Sequence, residues 1–121
     1  MDTATIAHDF TDLCKAGKLD EAGEKYWSSD IVSIEAGSPG GSDPAARGID
    51  AVRAKGEWWY AAHDIHSAEA SGPYINGDQF IVRFKMDVTF KETGARMMMD
   101  EDGLYTISNG KIVEERFFYT M

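Results

Sequence analysis

Cysteine is almost missing from this chain: of 121 residues, only Cys14 is one. A lone cysteine closes no intrachain disulfide and builds no cysteine cluster for zinc, and such usage fits a reducing compartment. Basic residues are scarce as well. The 12 Lys and Arg stand against 21 Asp and Glu, a formal net charge of -9, which opposes phosphate contacts and argues against a nucleic-acid partner. Long apolar runs are also lacking. No stretch approaches the ~18 apolar residues of a membrane span, and the segment Met1 to Ile6 has no basic stretch leading into an apolar one. The expectation is a cytoplasmic protein with no membrane partner and no cofactor.

What is present is an ordinary globular composition, 43% hydrophobic and 27% charged. A single domain over residues 1–121 is expected, long enough to bury ~65% of its unfolded surface without disulfides or metal. Its organising feature lies between Asp78 and Tyr119. Phe80, Val82, Phe84, Met86, Val88 and Phe90 alternate with Arg83, Lys85, Asp87 and Thr89, the period of a half-buried strand. Asn76-Gly77-Asp78, Glu92-Thr93-Gly94 and Ser108-Asn109-Gly110 supply hairpin-turn residues. The spacing predicts antiparallel strands over Asp78 to Phe90, Arg96 to Ile107 and Lys111 to Tyr119.

Upstream, Thr3 or Thr5 is placed to cap a helix carrying Ile6, Phe10, Leu13 and Cys14 at helical spacing, with Gly17 as its stop. Cys14 then reads as a small buried residue, since no His or basic cluster adjoins it in sequence. A second helix runs from Leu19 to about Trp27 and stops at Ser28-Ser29-Asp30, before a short strand from Ile31 to Glu35. The stretch Ala36 to Gly48, with Pro39, Gly40, Gly41 and Pro44, reads as an irregular cover. A third helix from Ile49 to about His63 places Val52, Gly56, Trp59 and His63 on one stripe and leaves Lys55 mostly off it. His66 to Ile75 reads as the strand entering the meander. These elements describe an α+β domain: a curved antiparallel sheet wrapped by helices into a cone with an internal pocket.

The element order resembles the SnoaL-like branch of the nuclear-transport-factor-2-like superfamily, a cystatin-like fold. The resemblance rests on Ala16-Gly17-Lys18-Leu19-Asp20, on Ser29-Asp30-Ile31-Val32-Ser33-Ile34-Glu35, on Arg47-Gly48 and on Gly110 to Phe118. That superfamily includes ketosteroid isomerase and polyketide cyclases, so the fold alone does not choose a function. By comparison with ketosteroid isomerase, Glu35 holds the place of the catalytic base. The resemblance implies that the donors of that enzyme are replaced: its oxyanion-hole tyrosine corresponds to Phe10, its protonated aspartic acid to about Gly103 and its supporting tyrosine to about Gly56. Losing one such donor costs roughly a hundred- to a thousandfold in rate, so isomerisation by that mechanism is not expected.

The resemblance also implies strand faces. Met97, Met99, Glu101, Tyr105, Glu115, Phe117 and Tyr119 would face the pocket, and Asp100, Asp102, Glu114, Arg116 and Phe118 would face out. A homodimer through the outer face, with Leu104 and Phe118 in the interface, is implied in the same way. Glu101 and Glu115 then line a wet polar site or are neutralised by Arg96 or Arg116. Trp58, Trp59 and Tyr60 read first as core, with Trp59 the one placed to touch a ligand too, and Met97 to Met99 as an adaptable wall or plain packing. His63 and His66 have metal-ligand spacing, but the helix is expected to end between them.

Two functions stand open. One is an acid–base enzyme with Glu35 and Glu115 as catalytic carboxylates and Tyr105 or Tyr119 as polar partners; the other is a non-catalytic dimeric binding or accessory domain. Trp59, Met97, Met99, Glu101, Tyr105, Phe117 and Tyr119 are the candidate ligand contacts. The expected ligand is small, apolar or weakly polar, neutral or cationic, with anions rejected because no base is expected beside the carboxylates.

Overall fold

Helix α1 (Thr3–Lys15) begins where the Asp2 carboxylate accepts from the backbone N of Thr5 at 2.8 Å, so the cap is Asp2 rather than Thr3 or Thr5. The computed structural model describes residues 2–37 and 43–120. Ile6, Ala7, Phe10, Thr11 and Cys14 form the buried face of α1. Helix α2 (Leu19–Tyr26) buries Ala22, Gly23 and Tyr26. The Tyr26 hydroxyl and the Lys25 ammonium both donate to Asp9, which ties α2 to α1 and holds that carboxyl below the usual range.

Strand β1 (Trp27–Ile34) follows at once, so Ser28 to Asp30 are strand residues and not a helix stop. A second correction concerns the Gly/Pro-rich stretch. Its residues Ala45–Arg47 form strand β2, antiparallel to β1 with Ile34 opposite Ala45. Of the expected cover from Ala36 to Gly48, residues 38–42 lie outside the described residues.

Helix α3 (Ile49–Ala62) buries only Val52; Gly56 and Trp59 are half-buried, and His63 already belongs to β3 (His63–Asn76). Strands β4 (Gln79–Phe90), β5 (Ala95–Ser108) and β6 (Lys111–Phe118) form the expected antiparallel meander. Asn109 (φ 52°) and Gly110 (φ 74°) make the last turn, a left-handed pair matched to the twist of the flanking strands. The sheet order is β2-β1-β6-β5-β4-β3, and β1 runs parallel to β6 whereas the other neighbours are antiparallel.

The result is an α+β fold: three helices on the concave side of a curved, unclosed six-stranded sheet. Helix α1 packs on β3 and β4, and α3 packs on β1, β2 and β3. Between them Phe10, Phe80 and Tyr105 form the aromatic centre of the core, with the Tyr105 ring stacked 5.0 Å from Phe80 and 4.6 Å from Phe10. Ile6, Ile31, Val82 and Ile112 are fully buried around them. On the convex face Arg83 pairs with Asp100 at 2.9 Å and Arg96 with Asp87 at 2.8 Å. The aromatics late in α3 depart from the core reading: Trp58 is 60% exposed and Tyr60 40%.

Candidate functional site

Alternation along β1 turns Ile31 and Ser33 inward, and both are fully buried. An inward serine in an apolar strand needs a partner, and Ser33 finds one in Glu115 across the parallel β1–β6 ladder, where the two residues stand in register. The Ser33 hydroxyl donates to Glu115 Oε2 at 2.7 Å, and the Trp27 indole N–H donates to Oε1 at 2.8 Å. Both carboxyl oxygens are therefore satisfied. Burial still pushes the Glu115 carboxyl above its ordinary range, opposed by those two hydrogen bonds and by the Lys55 charge.

Lys55 continues the chain of contacts. Its Nζ donates to Ser33 Oγ at 2.7 Å and pairs with Glu35 Oε1 at 2.9 Å, while lying 5.4 Å from the centre of the Phe117 ring. The Tyr119 hydroxyl donates to the other Glu35 oxygen at 3.2 Å. Burial, with the Glu35 charge and this hydrogen bond, pushes the Tyr119 phenol up to about 12. A polar wall thus runs from Trp27 through Glu115, Ser33, Lys55 and Glu35 to Tyr119. At its outer end a cavity of about 260 Å³ is lined by Glu35, Ala36, Arg116, Phe117, Phe118 and Tyr119.

Glu101 feels the same wall. Burial first, then the Glu35 and Glu115 charges, push its carboxyl up to about 7, with Lys55 pulling the other way. The arginines considered as neutralising partners are engaged elsewhere: Arg96 with Asp87 and Arg116 with Glu114. The cation is Lys55. That overturns the expectation that anions would meet no base here.

The remaining candidates fall into two places. Tyr105 is 1% exposed and lies in the core behind the cavity-lining Phe117, edge-on to it with ring centres 6.4 Å apart. Its burial and the nearby Glu115 charge raise the phenol well above its usual value. Trp59 instead stacks on His63 at 4.4 Å. Met99 stands opposite Met86, half-buried, and Met97 opposite Val88 is 43% exposed. His63 donates to the Trp59 carbonyl and His66 hydrogen-bonds Thr89, so the two imidazoles serve different partners. Cys14 is buried and its thiol is pushed up to about 12 by that burial.

The places of the missing donors are also defined. Phe10 is core, and nothing approaches a Cβ built at Gly56. A Cβ at Gly103 would meet Tyr105 Cε2 at 2.9 Å and its hydroxyl oxygen at 3.0 Å.

Sequence reading missed Lys55, Ser33 and Trp27. For Ser33 a signal existed, since it shares the face of Ile31. Lys55 gave none: it sits off the apolar stripe of α3 and reaches the site through its long stem.

A sequence profile described as the SnoaL-like domain matches residues 1–119. The chain belongs to the SnoaL-like family. Among solved structures, this SnoaL-like domain is similar to a Mesorhizobium loti protein provisionally described as a SnoaL-like polyketide cyclase. The two share 52% identity over 98% of this chain and 100% of the other, with a TM-score of 0.93. A Bacillus subtilis protein provisionally described as an isomerase shares the fold at 19% identity and TM-score 0.75, over 98% of this chain and 86% of the other. A Catenulispora acidiphila protein with a ketosteroid isomerase-like fold, solved with trimethylamine, superposes with TM-score 0.71 at 11% identity, over 96% of this chain and 85% of the other. No curated protein matches the chain. Among the described residues, no helix is long and apolar enough to cross a membrane.

Proposed function

We propose that this SnoaL-like domain is a cytoplasmic small-molecule enzyme of isomerase, cyclase, dehydratase or hydrolase type, with Glu35 as the base that moves a proton. The observation that carries the reading is the polar wall itself: a partly exposed carboxylate, paired at 2.9 Å with a lysine, lining a cavity together with Ala36, Arg116, Phe117, Phe118 and Tyr119. Glu115 is the buried carboxylate behind it. The proposed ligand contacts are Phe117 and Tyr119, which line the cavity, together with Glu101, Tyr105, Trp59, Met97 and Met99. The ligand is small and weakly polar, and no cofactor is required for proton transfer between a carboxylate and a carbon or oxygen acid.

Solvent-deuterium exchange into added ketones and lactones, read by NMR, tests this without knowledge of the product. The wild-type protein is expected to label at least one such compound, and Glu35→Gln, which keeps shape and removes the charge, is expected to abolish labelling. Unchanged labelling in the variant would remove Glu35 from the role.

A second reading, a non-catalytic binding domain, is favoured by one contact: Glu35 is already paired with Lys55 at 2.9 Å and so is not a free base. The trimethylamine held by the Catenulispora acidiphila protein fits a small amine as the ligand in that case. In either reading the proposed assembly is a homodimer through the convex face with Leu104 and Phe118 in the interface, Phe118 being 50% exposed. Light scattering is expected to give a dimer for the wild type and a monomer for Phe118→Asp.

A further inference from the structure

Lys55 has more to do than neutralise Glu35. An ammonium group has three donors, and two are engaged here: one to Glu35 Oε1 at 2.9 Å and one to Ser33 Oγ at 2.7 Å. The Ser33 hydroxyl gives its own proton to Glu115 at 2.7 Å, so toward Lys55 it can only accept. Glu115 is fixed in turn by the Trp27 indole at 2.8 Å. Lys55 is therefore anchored from behind by a chain that does not involve Glu35. In front it stands beside Glu35 over the Phe117 ring, and both members of the pair keep about a third of their side-chain surface open, 29% and 30%.

We propose that this ion pair works as a unit in which the cation changes partner: as Glu35 takes a proton from a bound ligand, Lys55 transfers its charge interaction from Glu35 to the ligand oxygen that becomes anionic. The inference rests on Glu35 being the base. In the step a C–H or O–H bond of the ligand breaks and the proton forms an O–H bond on Glu35. The electron pair left behind settles on the ligand oxygen as an enolate or phenolate, and Lys55 keeps all its protons.

Lys55 faces the anionic member of the reacting pair throughout, Glu35 before the step and the ligand oxygen after it, so the step itself adds no net charge beside Phe117. The ligand class follows: a neutral molecule whose acidic hydrogen is conjugated with an oxygen. Arrival of an anion from solvent is a different matter, because Glu35, Glu101 and Glu115 all face the same ammonium and oppose it. Lys55 thereby fills the role left open by Phe10, Gly56 and Gly103, none of which offers a side-chain donor.

Glu35→Gln reproduces the state after the proton has moved, with the base neutral and Lys55 released. The probe is para-nitrophenol, whose phenolate is told from the phenol by visible absorbance. Glu35→Gln is expected to bind the phenolate about tenfold or more tightly than the wild type, since a freed opposite charge within a few ångströms favours the ionised form by one or more pK units. Adding Lys55→Met is expected to erase that gain, and Lys55→Arg to retain much of it. Rescue by arginine separates a charge role from a packing role. Equal phenolate affinity in Glu35→Gln with and without Lys55→Met would overturn the proposal, as would no detectable binding of the probe. If Lys55→Met has no effect on phenolate binding while Glu35→Gln still abolishes deuterium exchange, the base stands and the partner change falls. If exchange persists in Glu35→Gln, the base reading falls and takes the partner change with it.

Discussion

Glu101 and Tyr105 lie on the same face of the same strand, four residues apart, yet their surroundings differ. Tyr105 is locked in the closed end between Phe10, Phe80 and Phe117. Glu101 sits toward the mouth among charges, opposite Phe84 on β4. Strand alternation fixes which way a side chain points, and the helices overhead decide whether it meets hydrocarbon or a polar wall. The closed end is thus where stability resides. The mouth holds groups that apolar packing alone would not keep there.

The sharpest way to break that division is Tyr105→Ala. Removing an aromatic side chain that is 1% exposed should lower unfolding free energy by roughly 3–5 kcal/mol, read by denaturant titration. A loss below about 1 kcal/mol would mean that the closed end is not the stabilising half.

A smaller effect belongs to the mouth and depends on pH. The folded protein holds the Glu101 proton up to about 7, whereas an unperturbed carboxyl releases it near 4.5. Folded protein therefore binds more protons than unfolded protein in that interval, and stability must fall as pH rises through it, by on the order of 3 kcal/mol at most. Glu115, also raised, acts with the same sign. Glu101→Gln should flatten part of this decline, measured as the difference in unfolding free energy between about pH 5 and about pH 8. An unchanged slope would place Glu101 in free solvent.

The smallest change is expected at Trp58, 60% exposed late in α3. Trp58→Ser should alter stability by no more than about 0.5 kcal/mol, whatever its large side chain suggests. A loss several times larger would show that the open end is covered in solution.

The two ends also differ in how far the sequence reveals them. The closed end follows from local pattern: Phe80 to Phe90 alternate, Ile6, Phe10 and Cys14 recur at helical spacing, and Asn109-Gly110 announces its turn. The mouth depends on pairing between distant segments. Nothing near Ser33 says that it will stand beside Glu115, because a parallel partner 82 residues away leaves no local trace. Glu35, Glu101, Glu115 and Tyr119 were legible as inward residues through the family resemblance. Lys55 was not, since a helix position off the apolar stripe reads as solvent-facing until the length of its stem is considered. Strand β2 was hidden by its glycine- and proline-rich surroundings.

The ring of Tyr105 in front of Gly103 constrains what this site could become under further mutation. A Cβ at position 103, near where the resemblance sets the aspartic acid of ketosteroid isomerase, would come within 2.9 Å of Tyr105 Cε2. Movement of that ring is opposed by Phe10 and Phe80, whose rings pack 4.6 and 5.0 Å from it. A side chain at position 103 therefore calls for Tyr105 to shift or be replaced, at the expense of core packing.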